Sequence, residues 1–414
     1  MDILFLSQIV PYPPHGGVLQ RGYNLIREIG KRHRIHLLAF RHPDTLPTLE
    51  SVEHGIKELR NHCATVLYVD LWAKKSPLHL SACLGCGLLF KTPFSAIAHR
   101  SIAFRKHVRS ILSSRPIDLI HVDTIALANY STLGTGIPRL LTHHNIESML
   151  MARRAEHEER RISRYYLRAQ ADRLSAYELE WCRKFDANIF MSRIDAQEME
   201  REIPDLRTYV IPNGVDVDYF RPSTFDDGPP SLVYTGGMNM FANRDAVLFF
   251  LREIWKPIRE EVPDVSFYAV GQDPPGELLQ MGRTDSHIRI TGYVDDVRPY
   301  ISQASIYVVP LRVGGGTRLK VLDAMAMGKA LVSTAIGCEG IEVSPGADII
   351  VENDPAAFAR SVVGLLRNRA KREEMGRRAR KLVESRYSWI GIGEKLNQAY
   401  EEIVSGKRNT AARE

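Results

Sequence analysis

The stretch Val308–Gly328 gathers residue types that can grip a phosphate. An apolar run ends at Pro310, the glycines Gly314, Gly315 and Gly316 follow, and Thr317, Arg318 and Lys320 open a second apolar segment. Glycine lets the backbone approach a ligand closely, and Thr317 is a suitable N-cap for a helix. Leu319, Leu322, Met325 and Ala326 recur at the spacing of a buried helix face. The N-terminus of that helix, with its unpaired N–H groups and positive dipole end, then points into a cleft. With Arg318 and Lys320 on the first turn, the arrangement suits a diphosphate. Asp323, just over a turn further in, can accept hydrogen bonds from ribose hydroxyls.

Further candidates follow strands of the first half. Pro13-Pro14-His15-Gly16-Gly17 lies between a strand and a helix, at the carboxyl end where open α/β sheets bind ligands. His121 and Asp123 sit at a similar place after Leu119–Val122 and are candidates for acceptor contact. His143 and His144 end another strand, where alternation sends one ring away from the cleft. Adjacent histidines on a strand rarely chelate one ion, and no Asp-x-Asp donor motif is evident, so a metal-independent site is expected. A structural, hydrogen-bonded histidine is the alternative reading.

The elements that must hold these residues alternate. Strands are expected at Ile3–Ser7, Ile35–Phe40, Thr65–Val69, Leu119–Val122, Arg139–His143 and Asn188–Ser192, with helical segments such as Gln20–Gly30 between several of them. A second alternation runs through Leu232–Thr235, Ser266–Val270, Ile288–Ile290, Ile306–Val309, Ala330–Ser333 and Ile349–Val351. This is the pattern of an α/β protein with doubly wound parallel sheets. Each half opens with a strand leading to a Gly-Gly pair, Gly16-Gly17 and Gly236-Gly237. The expected organisation is a first domain over 1–208, a linker over 209–230, a second domain over 231–385, and a C-terminal helix and tail over 386–414 that return to the first domain.

The 414 residues exceed what one core usually supports. A net charge of +6 favours anionic partners. The odd, scattered set Cys63, Cys83, Cys86, Cys182 and Cys338 argues against a disulfide framework, and the C-x-x-C pair Cys83/Cys86 reads as structural filler rather than a redox motif. The chain begins directly on a strand, without the basic and apolar regions of a signal peptide, and has no apolar stretch of membrane-spanning length. A cytoplasmic location is the expectation. The Arg-rich segment Ile146–Lys184, interleaved with Tyr165, Tyr166, Leu174, Tyr177 and Trp181, reads either as a solvated helix pair or as a basic amphipathic surface on anionic lipid. Arg367–Arg386, interrupted by Glu373, Glu374 and Glu384, reads as a salt-bridged surface helix.

The glycine-rich stretch resembles the donor site of retaining glycosyltransferases of the GT-B fold, family 4, typified by an EGFGLxxLEAMAxGxPVV run. The matching run is Gly314–Gly328, continued by Lys329–Thr334. The resemblance extends to the linker signature Ile211-Pro212-Asn213-Gly214-Val215-Asp216, to Tyr234-Thr235-Gly236, and to Gly292–Val297 continuing to Pro310. It implies two Rossmann-like domains facing a cleft. Gly16 and Gly17 would form a loop closing over donor phosphate, and His144 rather than His143 would lie by the donor sugar. Gly236 would open the donor side, and backbone groups around Tyr293 and Val294 would take the nucleotide base. There are two departures. The first of the family's two carboxylates falls on Gly315, leaving only Asp323, so the sugar contact passes to the backbone of Gly314–Gly316 or to another group. The Arg and Lys that many members carry after the opening strand are Met238 and Asn243 here, and Arg318 and Lys320 are expected to supply that charge.

The implied activity is transfer of a hexosyl group from a UDP-, GDP- or ADP-sugar to a glycan or lipid-linked acceptor, with retention, in polysaccharide assembly. His144, Arg318 and Lys320 would be the catalytic residues, with no cofactor, no nucleic acid, and peripheral contact with an anionic membrane at its inner face. The alternatives are a sugar-nucleotide epimerase or hydrolase on the same scaffold, and a basic nucleic-acid-binding protein. A dinucleotide oxidoreductase is disfavoured because G-x-G-x-x-G is absent after both opening strands.

Overall fold

The computed structural model describes residues 1–411 apart from 15, 75, 90–91, 157, 159, 224–227 and 315–317; at 77, 80, 82, 86, 88–89 and 407–411 it describes backbone only. The chain forms two compact units, Met1–Pro212 with Ile392–Glu414, and Asn213–Gly391.

In the first unit, β1 (Asp2–Ser7), β2 (Arg34–Arg41), β3 (Thr65–Asp70), β4 (Leu119–Val122), β5 (Arg139–His143), β6 (Ala187–Phe190) and β7 (Thr208–Val210) form one sheet in the order β3-β2-β1-β4-β5-β6-β7. Its pairings are parallel. Helices cover both faces of such a sheet, so central strands read as unbroken apolar runs; β4 and β6 are buried at every position. The strand order reverses between β1 and β4, and that switch point is where doubly wound sheets leave a crevice at the strands' carboxyl ends. Ser7, at the end of β1, and Asp123, just past β4, stand there.

The second unit repeats the plan. β8 (Ser231–Thr235), β9 (Ser266–Val270), β10 (Ile288–Gly292), β11 (Ile306–Val309), β12 (Ala330–Ser333) and β13 (Ile350–Val351) run in the order β10-β9-β8-β11-β12-β13. These pairings are parallel too. Its switch point lies between β8 and β11, whose carboxyl ends deliver Gly236 and Pro310.

Each strand expected from the sequence is present, with ends displaced by at most two residues. One strand differs from the reading: Thr208–Val210, where the linker was expected to begin, pairs in parallel with β6 as the edge of the first sheet. Three half-buried residues are too short a run to show a period. The Arg-rich segment is a helix pair, Glu147–Glu156 and Arg161–Cys182. The helix Arg369–Arg386 is laced by Arg369–Glu373, Arg378–Glu374 and Arg380–Glu384 pairs. Cys83 is buried in the helix Pro77–Leu89. From Ile392 onward the last helix, Trp389–Ala411, belongs with the first unit, where Tyr400 meets His121 and Glu402 meets Tyr209. Among the described residues, no helix is long and apolar enough to cross a membrane.

Candidate functional site

In the second unit the helix following β11 is Leu319–Ala326, with Arg318 in the flanking N-cap position. Thr317, expected as the cap, lies outside the described residues, as do Gly315 and Gly316. Lys320 reaches from the first turn back to the carboxyl end of β8. Its Nζ donates to Asn243 Oδ1 at 2.7 Å and to Tyr234 Oη at 2.8 Å. Asn243 is held by Tyr234 Oη, which donates to its Oδ1 at 2.7 Å, and by its own Nδ2, which donates to Gly237 O at 2.8 Å. Gly236 makes the approach possible: at φ +153° it adopts a backbone that favours glycine, and a Cβ there would lie 2.4 Å from Lys320 Nζ. The ammonium thus rests against Asn243, the position at which the resemblance places another lysine.

Arg318 folds over Gly314. A Cβ on Gly314 would lie 2.6 Å from its guanidinium, and its Nε donates to Ile336 O at 3.4 Å. Burial, reinforced by the charge of Arg318, pulls Lys320 down to about 7. Burial pushes Asp323, one turn further along the helix, up to about 8 against the pull of Lys320. Asp323 Oδ1 is buried without a hydrogen-bond partner among the described residues. An orphaned carboxyl oxygen of this kind is costly unless a ligand supplies donors. Tyr293 is 68% exposed and Val294 packs against the core.

In the first unit Gly16 and Gly17 are exposed, and Gly16 precedes the helix Gly17–Ile29 without any side-chain cap. His143 and His144 diverge as strand alternation requires. His143 stacks on Phe190 with centroids 4.7 Å apart and bonds Asn188 Oδ1 at 3.1 Å, and burial drives it down to about 4. His144 turns toward Asp123, its Nε2 3.4 Å from Oδ1. Burial works to raise the Asp123 carboxyl, but His144 and the Arg21 guanidinium help to outweigh it and hold it below its ordinary value.

His121 does not suit the acceptor contact expected of it. Its ring is wholly buried against Phe5, with Nδ1 2.5 Å from Tyr400 Oη and Nε2 2.8 Å from Thr142 Oγ1. Both nitrogens are engaged and burial drives the ring down to about 3, so it is a neutral tie to the C-terminal helix. An Asp-x-Asp triplet does occur at Asp216–Asp218, but Asp216 Oδ1 accepts from the Asp218 and Tyr219 N–H groups at 3.2 and 3.0 Å, as in a turn. Among the described residues no cluster could hold a metal ion.

Two participants escape a reading by sequence. Arg21 is 1% exposed and donates to Pro212 O and Ile211 O at 2.7 and 3.0 Å, fixing Ile211-Pro212 to the first helix; burial lowers it to about 10. Glu178 accepts from the Glu147 and Ser148 N–H groups at 2.7 and 3.4 Å, capping the helix Glu147–Glu156 from a distance in sequence.

Burial, aided by Glu147, pushes Glu178 from its ordinary 4.5 to about 7. A carboxyl raised by folding adds stability that is complete below its unfolded value and lost as pH rises through the folded one. Glu178→Gln keeps an accepting oxygen and removes the charge. The difference in Tm between pH 6 and pH 8 should therefore shrink in the variant, by the equivalent of roughly 1–3 kcal/mol. An unchanged difference in differential scanning calorimetry would mean that Glu178 does not titrate in this window.

The family comparisons agree with this geometry. The model "Glycosyltransferase Family 4" matches residues 15–219 and "Glycosyl transferases group 1" matches residues 229–368. Phosphatidyl-myo-inositol mannosyltransferase of Mycobacterium tuberculosis is 28% identical over 207 residues, 47% of this chain and 54% of the relative. An uncharacterized 44.6 kDa protein in the cps region of Klebsiella pneumoniae is 24% identical over 211 residues, 49% of this chain and 53% of the relative. The chain thus spans about half the length of the curated relatives it matches. Among solved structures, sucrose-phosphate synthase of Thermosynechococcus elongatus superposes with a TM-score of 0.69 at 17% identity, covering 98% of this chain and 100% of that one. Anabaena HepE in complex with UDP gives 0.67 at 16% identity, over 97% of this chain and 100% of that one. The chain belongs to the family 4 glycosyltransferases, and its two Rossmann-like units are those of the GT-B fold.

Proposed function

We propose that this chain transfers a hexosyl group from a nucleoside diphosphate-sugar to a glycan or lipid-linked acceptor, with retention and without a metal ion, in the assembly of a polysaccharide. The observation that carries the reading is the Lys320 ammonium held 2.7 Å from Asn243 Oδ1 over Gly236, at the switch point of the second sheet. The UDP held by the HepE neighbour supports a nucleotide-sugar donor, and the mannosyltransferase relative supports transfer of a hexosyl group.

As the bond between the anomeric carbon and the diphosphate oxygen breaks, negative charge grows on the leaving group. Lys320 and Arg318 counter it with fixed positive charge, assisted by the N–H groups that open the helix Leu319–Ala326. The loop Gly314, Gly315, Gly316 and Thr317 contributes backbone donors, and Asp323 takes the ribose hydroxyls with its orphaned oxygen. The acceptor hydroxyl attacks from the face the diphosphate leaves, and its proton passes to a departing phosphate oxygen. In the first unit His144, oriented by Asp123, is the residue we assign to the sugar's hydroxyls, and the uncapped N–H groups at Gly16 and Gly17 to a phosphate oxygen. Exposed Ile162 and Tyr165, beside Arg160, Arg161 and Arg164, support peripheral contact with an anionic membrane surface.

Thermal denaturation of the full chain with UDP, GDP and ADP tests the donor assignment. The cognate diphosphate should stabilise the protein by about 2.7 kcal/mol at a hundredfold excess over Kd, with or without EDTA. Stabilisation that EDTA abolishes would overturn metal independence; no stabilisation by any of the three would overturn the donor site. Turnover of the cognate sugar nucleotide only when an acceptor glycan is supplied would exclude the epimerase or hydrolase reading.

A further inference from the structure

The first unit contains a cavity of about 520 Å³ that the donor chemistry does not use. It is bounded by the helices Pro77–Leu89, Phe94–Ala98, Glu147–Glu156 and Arg161–Cys182. Its size falls within the range of small-molecule sites, roughly 300–1,000 Å³. The lining is mixed: Phe94, Met151, Leu167 and Leu174 are apolar, whereas Glu147, Tyr166 and Gln170, with Arg154 and Glu158, bring polar groups. Tyr166 Oη is buried with no hydrogen-bond partner among the described residues. Glu147 stands three residues past His144 and accepts from Thr124 Oγ1 at 3.3 Å. Ile162 lines the cavity yet is 87% exposed, so the apolar lining continues out to solvent.

A purely apolar ligand would leave the Tyr166 hydroxyl dry and unpaired, at a cost of about 1–3 kcal/mol, and would offer the Glu147 carboxyl no donor. A fully hydrated glycan would leave the apolar lining without a partner. We propose that this cavity is the acceptor site and that it takes an amphiphile, a hydroxylated head on a single apolar chain. Glu147 accepts a head-group hydroxyl, Tyr166 donates to a head-group oxygen, and the chain lies along Met151 and Leu167 and leaves past Ile162. The inference rests on the transferase reading, which it narrows from a glycan or lipid-linked acceptor to a lipid-linked one.

Octyl β-glucoside, below its micelle-forming concentration, is the probe, with glucose as the chainless control. Calorimetric titration into the full chain should show saturable one-to-one binding of octyl glucoside and none of glucose at equal concentration. Met151→Trp fills the cavity and should weaken binding at least tenfold. Glu147→Gln, nearly isosteric, should weaken it several-fold, so the test survives if the tryptophan variant fails to fold. Both variants should retain the thermal shift given by the cognate nucleoside diphosphate, which separates failure of this site from failure of the donor site. Absence of saturable binding, or binding unchanged in both variants, overturns the proposal. So does octyl glucoside binding no better than glucose while phosphatidylglycerol vesicles bind all three proteins equally, a result that would make the face a lipid-docking surface instead.

Discussion

Lys320→Met is expected to weaken nucleoside diphosphate binding about 10- to 100-fold and to lower kcat by about 10²-fold or more. The first figure follows from losing hydrogen bonds to a charged group, about 1.5–3 kcal/mol, at tenfold for each 1.4 kcal/mol. The second follows from removing charge stabilisation where the leaving group becomes anionic. Methionine preserves the unbranched stem while deleting the ammonium that now contacts Asn243 and Tyr234. The same group predicts a pH dependence. Burial and Arg318 hold Lys320 at about 7 in the free protein, whereas a bound diphosphate requires it protonated. Affinity should therefore fall as pH rises above about 7, by up to tenfold per unit, and the fall should vanish in Lys320→Met. The most discriminating measurement adds Asn243→Lys to that variant. The amide that now accepts from Lys320 would be replaced by an ammonium at almost the same point, and much of the lost affinity should return. If Lys320→Met binds as tightly as the parent, or if Asn243→Lys restores nothing, positive charge at the end of β8 is not what holds the diphosphate.

That relocation explains why the site was only partly legible in the sequence. The glycine loop and the cations Arg318 and Lys320 could be read because they are consecutive, and local chemistry shows in a local pattern. Alternating apolar runs likewise placed the strands, since buried parallel strands carry that signal in their own residues. Contacts between distant residues leave no such mark. Asn243 could be read as the place of a missing lysine, but its bond with Lys320 exists only because the switch point brings β8 beside β11, and Glu178 caps a helix that begins 31 positions earlier. His121 shows the converse error. A histidine at a strand's carboxyl end looks available, but Tyr400, from the far end of the chain, occupies its Nδ1. The strand Thr208–Val210 was hidden for a related reason: it exists because β6 offers an edge, not because three residues favour it.

Gly376→Ala is expected to be a severely damaging single-methyl change in the second unit. Gly376 lies in the helix Arg369–Arg386, where an added Cβ would sit 1.9 Å from Gly328 O and 2.8 Å from Gly328 C. Both are backbone atoms and cannot rotate away. Gly328 itself follows the helix Leu319–Ala326, whose Ala326 carbonyl accepts from Arg380 of the same partner helix at 2.5 Å. Relief of the overlap must move one helix off the other, and the one that moves carries Lys320 and Asp323. Overpacking against side chains costs about 1–3 kcal/mol, and rigid backbone puts this site at the upper end, equivalent to a Tm lower by roughly 10 °C for a unit of this size. The matched control is Gly364→Ala in the helix Pro355–Leu366, where an added Cβ meets nothing within 4 Å. There alanine should stabilise by about 0.4–1 kcal/mol through the unfolded chain and the helix alike. At temperatures where both variants are folded, donor affinity should drop only in Gly376→Ala. A Gly376→Ala protein with parental Tm and donor affinity would show that the two helices can separate without disturbing the diphosphate grip.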